Sequence, residues 1–343
     1  MIRVGIVGAS GYTGGDLLRF LLDHPGVEIA AITSESFAGK FAYQVHPHLR
    51  GRTTLKFIGQ AALEPVDVLF LALPHGEAQK QIARYAGLAE RIIDLSADFR
   101  LRDPAVYQQT YGEPHAAPDW LERFVYGLPE LNRDALRGAQ YASGVGCNAT
   151  AVTLALYAAH RAQLIPASAP LVADVKVGSS EAGRSPSDSS HHPARAGVVR
   201  PFAMTGHRHE AEVRQSLGGV NIRMAVTSVE LVRGAAAAVY VDLPGVAEKD
   251  LWAAYRSAWG ADQPFVRVVH DKTGFHRHPE PRLLAGTNYA DVGWELDPEN
   301  GRAALLCAID NLGKGAAGSA VQCMNLMCGF DETTALGFGG VYP

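Results

Sequence analysis

The sequence predicts an α/β chain with two domains: a doubly wound parallel sheet, then a strand-rich domain whose sheet is antiparallel or mixed. Three observations carry this. Apolar runs of strand length alternate with helical periodicity through residues 2–95, the pattern of a parallel sheet buried on both faces. A glycine-rich turn closes the first run and opens the first helix. Residues 223–243 then change to the alternation of half-buried antiparallel strands. A length of 343 residues gives each of about two domains room for its own core.

Composition narrows the class. At 47% hydrophobic and 19% charged residues the chain is ordinary for a soluble globular protein. A net charge of −4 gives no global attraction to nucleic acid or membrane, and no apolar run reaches membrane-spanning length. Arginine outnumbers lysine several-fold, which suits bidentate binding of phosphate and carboxylate. The cysteines, Cys147, Cys307, Cys323 and Cys328, show no C-x-x-C pairing and read as reduced thiols. Met1 leads almost directly into a strand with no space for a signal peptide, so the expected location is cytoplasmic.

Residues 2–7 form the first apolar run, bounded by Gly8-Ala-Ser-Gly11-Tyr-Thr-Gly14. Residues 16–22 place Leu17, Leu18, Leu21 and Leu22 on one helical face, His24-Pro25-Gly26 stops them, and residues 27–32 are a second strand. Strand, glycine turn, helix and strand in this order form a dinucleotide-binding unit. Its pyrophosphate lies on the helix N-terminus, against backbone N–H groups from Ser10 through Tyr12 to Thr13. The second strand ends in Thr33-Ser34-Glu35-Ser36. The hydroxyls of Ser34 and Ser36 suit a 2′-phosphate and so NADP, provided the Glu35 side chain turns away.

Residues 66–73, ending in Pro74-His75-Gly76, and 91–95, ending in Ser96-Ala-Asp98-Phe99-Arg100, read as further parallel strands whose carboxyl ends face a ligand crevice. Arg100 at such an end is placed to hold an anionic substrate group or to pair with Asp98 or Asp103. Residues 103–140, rich in proline, tyrosine and acids, read as an irregular excursion.

Ser143-Gly-Val-Gly-Cys147-Asn148-Ala-Thr150 opens a helical run over residues 149–162. A cysteine at a helix start meets unpaired N–H groups and the positive end of the dipole, which favour the thiolate. Asn148 or Thr150 is placed to cap the first turn. The alternative is a buried cysteine acting as a small hydrophobe.

After a strand at residues 171–178, a polar stretch carries Arg184, Asp188, His191, His192, Arg195, Arg200 and Gly206-His207-Arg208-His209. Local cationic charge in an acidic protein points to an anionic, phosphate-bearing substrate, or else to a solvated loop. Two histidines at i and i+2 without a third ligand do not make a metal site, whereas one of them suits proton exchange near neutral pH. A helix at 210–216, strands at 223–232 and 235–243, an amphipathic helix at 248–259 and strands at 266–269, 286–288 and 303–309 complete this half, whose sheet suits an oligomer interface. Asn311-Leu-Gly-Lys314-Gly-Ala-Ala-Gly318 leads into an apolar helix at 319–327.

Taken together, Gly8-Ala-Ser-Gly11-Tyr-Thr-Gly14, Gly146-Cys147, Gly206-His207-Arg208-His209 and Asn311-Leu-Gly-Lys314-Gly-Ala-Ala-Gly318 resemble the N-acetyl-gamma-glutamyl-phosphate reductase family, within the wider semialdehyde dehydrogenase group. The resemblance runs through essentially the whole chain. It implies a Rossmann-type NADP-binding domain of residues 1–147 and 313–343, with an α+β catalytic and oligomerisation domain of residues 148–312 inserted. It implies NADP(H) as cofactor, held around Gly8, Ser10, Gly11, Tyr12, Thr13, Gly14, Ser34, Ser36 and Asn311, and Cys147 as nucleophile. The resemblance makes His209 the acid/base, with His207 close by; by their position and chemistry, Arg100, Asn148, Arg184 and Arg208 are the expected substrate contacts.

Arginine-pathway members continue past the cysteine as Tyr-Pro-Thr, whereas this chain has Asn148-Ala149-Thr150. That variant resembles the branch of lysine biosynthesis that reduces 2-aminoadipyl 6-phosphate on a small acidic amino-group carrier protein, some members also taking the glutamyl analogue. The implied assembly is a homo-oligomer, dimer or tetramer. The alternatives are the free N-acetylglutamyl phosphate reductase of arginine biosynthesis and an NADP-sensing regulator without turnover. The His-Arg-His motif disfavours an aspartate semialdehyde dehydrogenase.

Overall fold

The computed structural model describes residues 1–342 and divides into two compact units. Met1–Val145 and Ala316–Phe338 form the first; Gly146–Gly315 and the last few described residues form the second.

The first unit runs β1 (Ile2–Val7), α1 (Tyr12–Leu21), β2 (Val27–Thr33), α2 (Ala42–Val45), β3 (Phe57–Ile58), β4 (Val66–Leu71) and α3 (Ala78–Ala86). It continues through β5 (Ala89–Asp94), α4 (Pro104–Tyr111), β6 (Phe124–Tyr126), α5 (Pro129–Arg137) and β7 (Tyr141–Ser143). Its strands form one sheet in the order β3-β2-β1-β4-β5-β7-β6, every pair parallel. Val4, Ile6 and Val7 of β1 and Val68 to Leu71 of β4 are buried, as strands covered on both faces require. The strand order reverses beside β1, so the ligand crevice of this unit opens at the carboxyl ends of β1 and β4. The final helix of the chain, Gly318–Met327, belongs here, buried along its whole length and packed on α1, α5 and β5.

Residues 103–140 correct the expectation of an irregular excursion. The Asp103 carboxylate accepts from the N–H groups of Ala105 (2.7 Å) and Val106 (3.4 Å), Pro104 pre-sets the first turn, and Gly112 ends α4 in the left-handed region. Phe124 of β6 stacks on Phe99 with centroids 4.1 Å apart. The composition is that of a loop, but the caps are those of short helices.

The second unit contains α6 (Cys147–Arg161), β8 (Leu171–Val177), α7 (His192–Arg195), β9 (Val199–Ala203), α8 (His209–Ser216) and β10 (Ile222–Val229). It ends with β11 (Ala235–Asp242), α9 (Glu248–Ala258), β12 (Val266–Val268), β13 (Ala290–Asp297) and β14 (Arg302–Ile309), the final helix Gly318–Met327 being α10. The sheet order is β12-β13-β14-β11-β8-β10-β9. It is mixed: β8 with β10 and β12 with β13 are parallel, the other pairs antiparallel. Alanine-rich α6 packs across β11 and β14 and against α8 and α9. The strand expected at residues 286–288 is a connector instead, with Gly286 at φ +80° and Thr287 and Asn288 buried, and the strand begins at Ala290.

Candidate active site

Cys147 is the first residue of α6, and Gly146 is its N-cap. Neither Asn148 nor Thr150 caps the helix, contrary to expectation. The Gly146 N–H is taken by Glu212 Oε2 at 2.9 Å, while Thr150 Oγ1 donates back to the Gly146 carbonyl at 3.0 Å. An ionic acceptor reaching across from α8 satisfies that donor better than the short side chains of the first turn. Asn148 Nδ2 instead donates to Glu181 Oε2 at 3.2 Å. Acceptors in range of the Cys147 thiol include Asn148 Oδ1 at 3.7 Å and Glu181 Oε2 at 3.9 Å.

His209 opens α8 and is buried, and Glu212, one turn on, is fully buried with Oε1 3.8 Å from His209 Nε2. A side chain at position 146 would destroy this arrangement. A Cβ there would lie 2.6 Å from Glu212 Oε1 and 2.7 Å from His209 Nε2, which is how glycine lets both reach the start of α6. Gly315 is confined the same way, its Cβ position lying 2.7 Å from Cys147 Cβ. His207 Nδ1 accepts the His209 N–H at 3.2 Å, and the two rings meet edge to face at 4.6 Å. Burial, with the charge of Arg208, lowers the pKa of His207, so the neutral imidazole is favoured.

Glu181 sits on a 3₁₀ turn, Ser179–Ala182, directly after β8. Burial raises its pKa above the usual carboxylate range, opposed by the Asn148 hydrogen bond and by the charge of Arg208. Asn311 holds this turn in place. Its Oδ1 accepts the Gly234 N–H at 2.7 Å and its Nδ2 donates to Ser180 Oγ at 2.9 Å. The carboxamide expected at the cofactor is therefore engaged within the second unit. Arg184 and Arg208 are exposed. Arg195 and Arg200 are not free surface charges: Arg195 donates to the carbonyls of Val229 and Leu231, and Arg200 to those of Ser189 and Ala194. They lash down a stretch that composition alone presents as a solvated loop.

In the first unit the glycines make a cradle. Gly8 has φ +78°, and a Cβ there would overlap the Ala72 carbonyl; one on Gly14 would lie 2.6 Å from Ala9 Cα. Gly11, the N-cap of α1, faces open space, and no side chain caps the helix, leaving the amides of Tyr12, Thr13 and Gly14 for an anion. His46 Nε2 lies 2.8 Å from the Ala9 carbonyl and steadies the turn. Ser34 Oγ donates to Ser10 Oγ at 3.0 Å. Glu35 does turn away, its Oε1 accepting the Gln60 N–H at 2.8 Å, while Ser36 is exposed. These residues fit a nucleotide with a 2′-phosphate. Arg100 is buried, with Nε donating to the Ser96 carbonyl at 3.0 Å. Beside it, burial works against the Asp98 charge, but hydrogen bonds from His75 (2.9 Å), Gly76 (2.6 Å) and Gln79 (2.9 Å) hold its carboxyl below the usual range.

Two matches decide the family. Residues 3–139 match the family described as semialdehyde dehydrogenase, NAD binding domain, and residues 147–311 the one described as semialdehyde dehydrogenase, dimerisation domain. This chain belongs to the semialdehyde dehydrogenase family. Semialdehyde dehydrogenases of known structure share its fold. Aspartate semialdehyde dehydrogenase II of Vibrio cholerae superposes with a TM-score of 0.70 at 17% identity, covering 95% of this chain and 98% of that one. The Candida albicans enzyme, solved with NADP, gives 0.66 at 14% identity over 95% and 98%. Much nearer in sequence is the LysW-L-2-aminoadipate 6-phosphate reductase of Deinococcus radiodurans, 48% identical over 99% of this chain and 98% of the relative. A Thermomicrobium roseum protein provisionally named for the same reaction is 52% identical over 100% and 99%. One from Haloquadratum walsbyi, provisionally named for both the LysW-linked aminoadipate and glutamate phosphates, is 47% identical over 98% and 97%. Among the described residues, no helix is long and apolar enough to cross a membrane.

Cys147, His209 and the glycine turn are legible in the sequence as candidate site residues. Glu181, Glu212 and His46 are not, because each acts on a residue more than thirty positions away in sequence, or more than sixty.

Proposed function

We propose that this semialdehyde dehydrogenase reduces an acyl phosphate to a semialdehyde with NADPH, through a cysteine thioester. Its substrate is 2-aminoadipyl 6-phosphate carried on a small acidic amino-group carrier protein in lysine biosynthesis, with the glutamyl analogue as a second substrate. The observation that carries the reading is Cys147 at the start of α6, beside buried His209 and Glu212. Relatives named for the carrier-linked reaction, near half identical over the whole chain, supply the substrate.

The Cys147 thiolate attacks the acyl carbon, the carbon–oxygen bond to phosphate breaks, and phosphate departs with its electron pair. NADPH, when bound, supplies the hydride that reduces the resulting thioester. Gly8, Ser10, Gly11, Tyr12, Thr13 and Gly14 would hold its pyrophosphate, with Ser34 and Ser36 at the 2′-phosphate. His209 gives a proton to the developing oxyanion and takes it back as the thiohemiacetal collapses and releases thiolate. His207 positions His209 rather than titrating, since its Nδ1 is spent on the His209 N–H and its neutral form is favoured. Glu212 holds the imidazole and the Gly146 amide together. Arg100, Asn148, Arg184 and Arg208 are the candidates for substrate contact, the two exposed arginines suiting an acidic carrier. The enzyme works in the cytoplasm as a homo-oligomer, dimer or tetramer.

The test runs the reaction backwards, following phosphate-dependent NADP reduction. Turnover with carrier-linked aminoadipate semialdehyde and none with free N-acetylglutamate semialdehyde is the expected result. The reverse pattern moves the enzyme to arginine biosynthesis, and NADP binding without turnover of either makes it a sensor.

A further inference from the structure

The active-site thiol faces a carboxyl group that the mechanism above leaves unused. Glu181 Oε2 lies 3.9 Å from Cys147 Sγ and accepts the Asn148 Nδ2 hydrogen bond at 3.2 Å. The turn carrying it is fixed from behind: Ser180 is bonded to Asn311, and the N–H groups of Ser179 and Ser180 reach the carbonyls of Leu231 (2.8 Å) and Val232 (3.0 Å). A carboxyl group held this firmly against a nucleophile has a function beyond filling space.

We infer that Glu181 is the proton partner of the Cys147 nucleophile, holding the resting enzyme as thiol and accepting the thiol proton when the thiolate forms. The S–H bond breaks with its electron pair left on sulfur, and the proton passes to Glu181 Oε2, so the negative charge moves from oxygen to sulfur without a net change. When the thiohemiacetal collapses the thiolate leaves with its pair and the proton can return. The geometry favours this pairing because Glu181 Oε2 and Asn148 Oδ1, both within reach of Sγ, are acceptors that stabilise S–H. The groups acting on Glu181 are Cys147 and Asn148 from α6 and the charge of Arg208 from the segment before α8. Burial raises the pKa of this carboxyl, which brings its proton affinity nearer to that of a thiol. The inference deepens the proposed reaction, but its test needs no substrate.

The experiment is the rate of Cys147 alkylation by iodoacetamide from pH 5 to 10, with a Cys147→Ser variant as the background for the other thiols. Only thiolate reacts. In the native protein two coupled ionisations give a biphasic profile: a low plateau after the first proton is lost, then a rise as sulfur ionises beside the charged carboxylate. Glu181→Gln removes the charge and keeps the shape. It is expected to show a single step at lower pH than the upper native one, with alkylation about tenfold faster at pH 8. Asn148→Ala removes a donor that favours ionised Glu181, so the lower step moves to higher pH. A native profile that is already a single step and is unchanged in Glu181→Gln overturns the inference, as does slower alkylation of that variant at every pH. If the inference holds while neither semialdehyde is turned over, the proposed reaction falls and the Cys147–Glu181 pair stands.

Discussion

Glu212 is one carboxylate with two tasks: Oε2 accepts the Gly146 N–H at 2.9 Å, and Oε1 sits 3.8 Å from His209 Nε2. Glu212→Gln keeps the shape and loses the charge. A hydrogen bond to a charged group contributes about 1.5–3 kcal/mol, so kcat/KM is expected to fall by about one to two decades. Steady-state kinetics beside an unchanged circular dichroism spectrum checks it; undiminished turnover would remove Glu212 from the site. In the first unit, burial and then the charge of Asp98 push Asp94 from its ordinary 3.8 up to about 7. The folded state therefore holds this proton more tightly than the unfolded chain. Its contribution to stability is complete below pH 3.8 and is lost as pH rises from there through about 7. Asp94→Asn is expected to raise Tm by several degrees at pH 8 and by much less at pH 4, read by thermal melts at the two pH values. At this scale the sequence reveals residues whose chemistry is marked locally, Cys147 after a glycine and His209 in a His-x-His. Glu181 and Glu212 look like any acids near a helix start until the fold brings them to Cys147 and His209.

At the scale of the element, the turn before α1 separates two roles of glycine. At Gly14 a Cβ would press on the Ala9 backbone at 2.6 Å, whereas at Gly11 it would enter open space. Gly14→Ala is expected to destabilise the protein by about 1–3 kcal/mol. Gly11→Ala should leave Tm unchanged and weaken NADPH by roughly the 1.5–3 kcal/mol of one charge-assisted hydrogen bond. Thermal melts and nucleotide titration of both variants test the pair, and equal losses of stability would refute the distinction. Strand, glycine turn, helix and strand are legible because period and punctuation agree there. In residues 103–140 the proline and acid content hides the Asp103-Pro104 start and the Gly112 stop of α4. The strand at Ala290–Asp297 keeps its period, Ala290, Val292, Trp294 and Leu296 alternating with Asp291, Gly293, Glu295 and Asp297, but those acids and the glycine are residue types that strands disfavour, and Gly293 is there because a Cβ would overlap the Val269 carbonyl. The parallel pairings that make the second sheet mixed depend on which strands become neighbours, which alternation does not record.

At the scale of the whole molecule, the second sheet carries α6 on one face, while the other shows Tyr240 (51% exposed) beside its cross-strand neighbour Val172 (46% exposed). The unit matches a family described by its dimerisation. Tyr240→Asp on that face is expected to raise the dissociation constant of the oligomer at least about thirtyfold, the loss of one interfacial hot spot of about 2 kcal/mol. Light scattering across a dilution series measures it. Unchanged mass at every concentration would move the interface elsewhere.

The order of synthesis runs against the order of assembly. α10, buried along its length on α1, α5 and β5, is made after residues 146–315, the bulk of the second unit. At about 5–20 residues per second a ribosome spends roughly 10–30 s on the intervening stretch. Through that interval the first seven strands lack a covering helix, while the second unit, nearly continuous in sequence, has what it needs to close. The nucleotide-binding half leaves the ribosome first and is finished last, so the newborn chain keeps an apolar surface on offer to chaperones until translation is nearly complete.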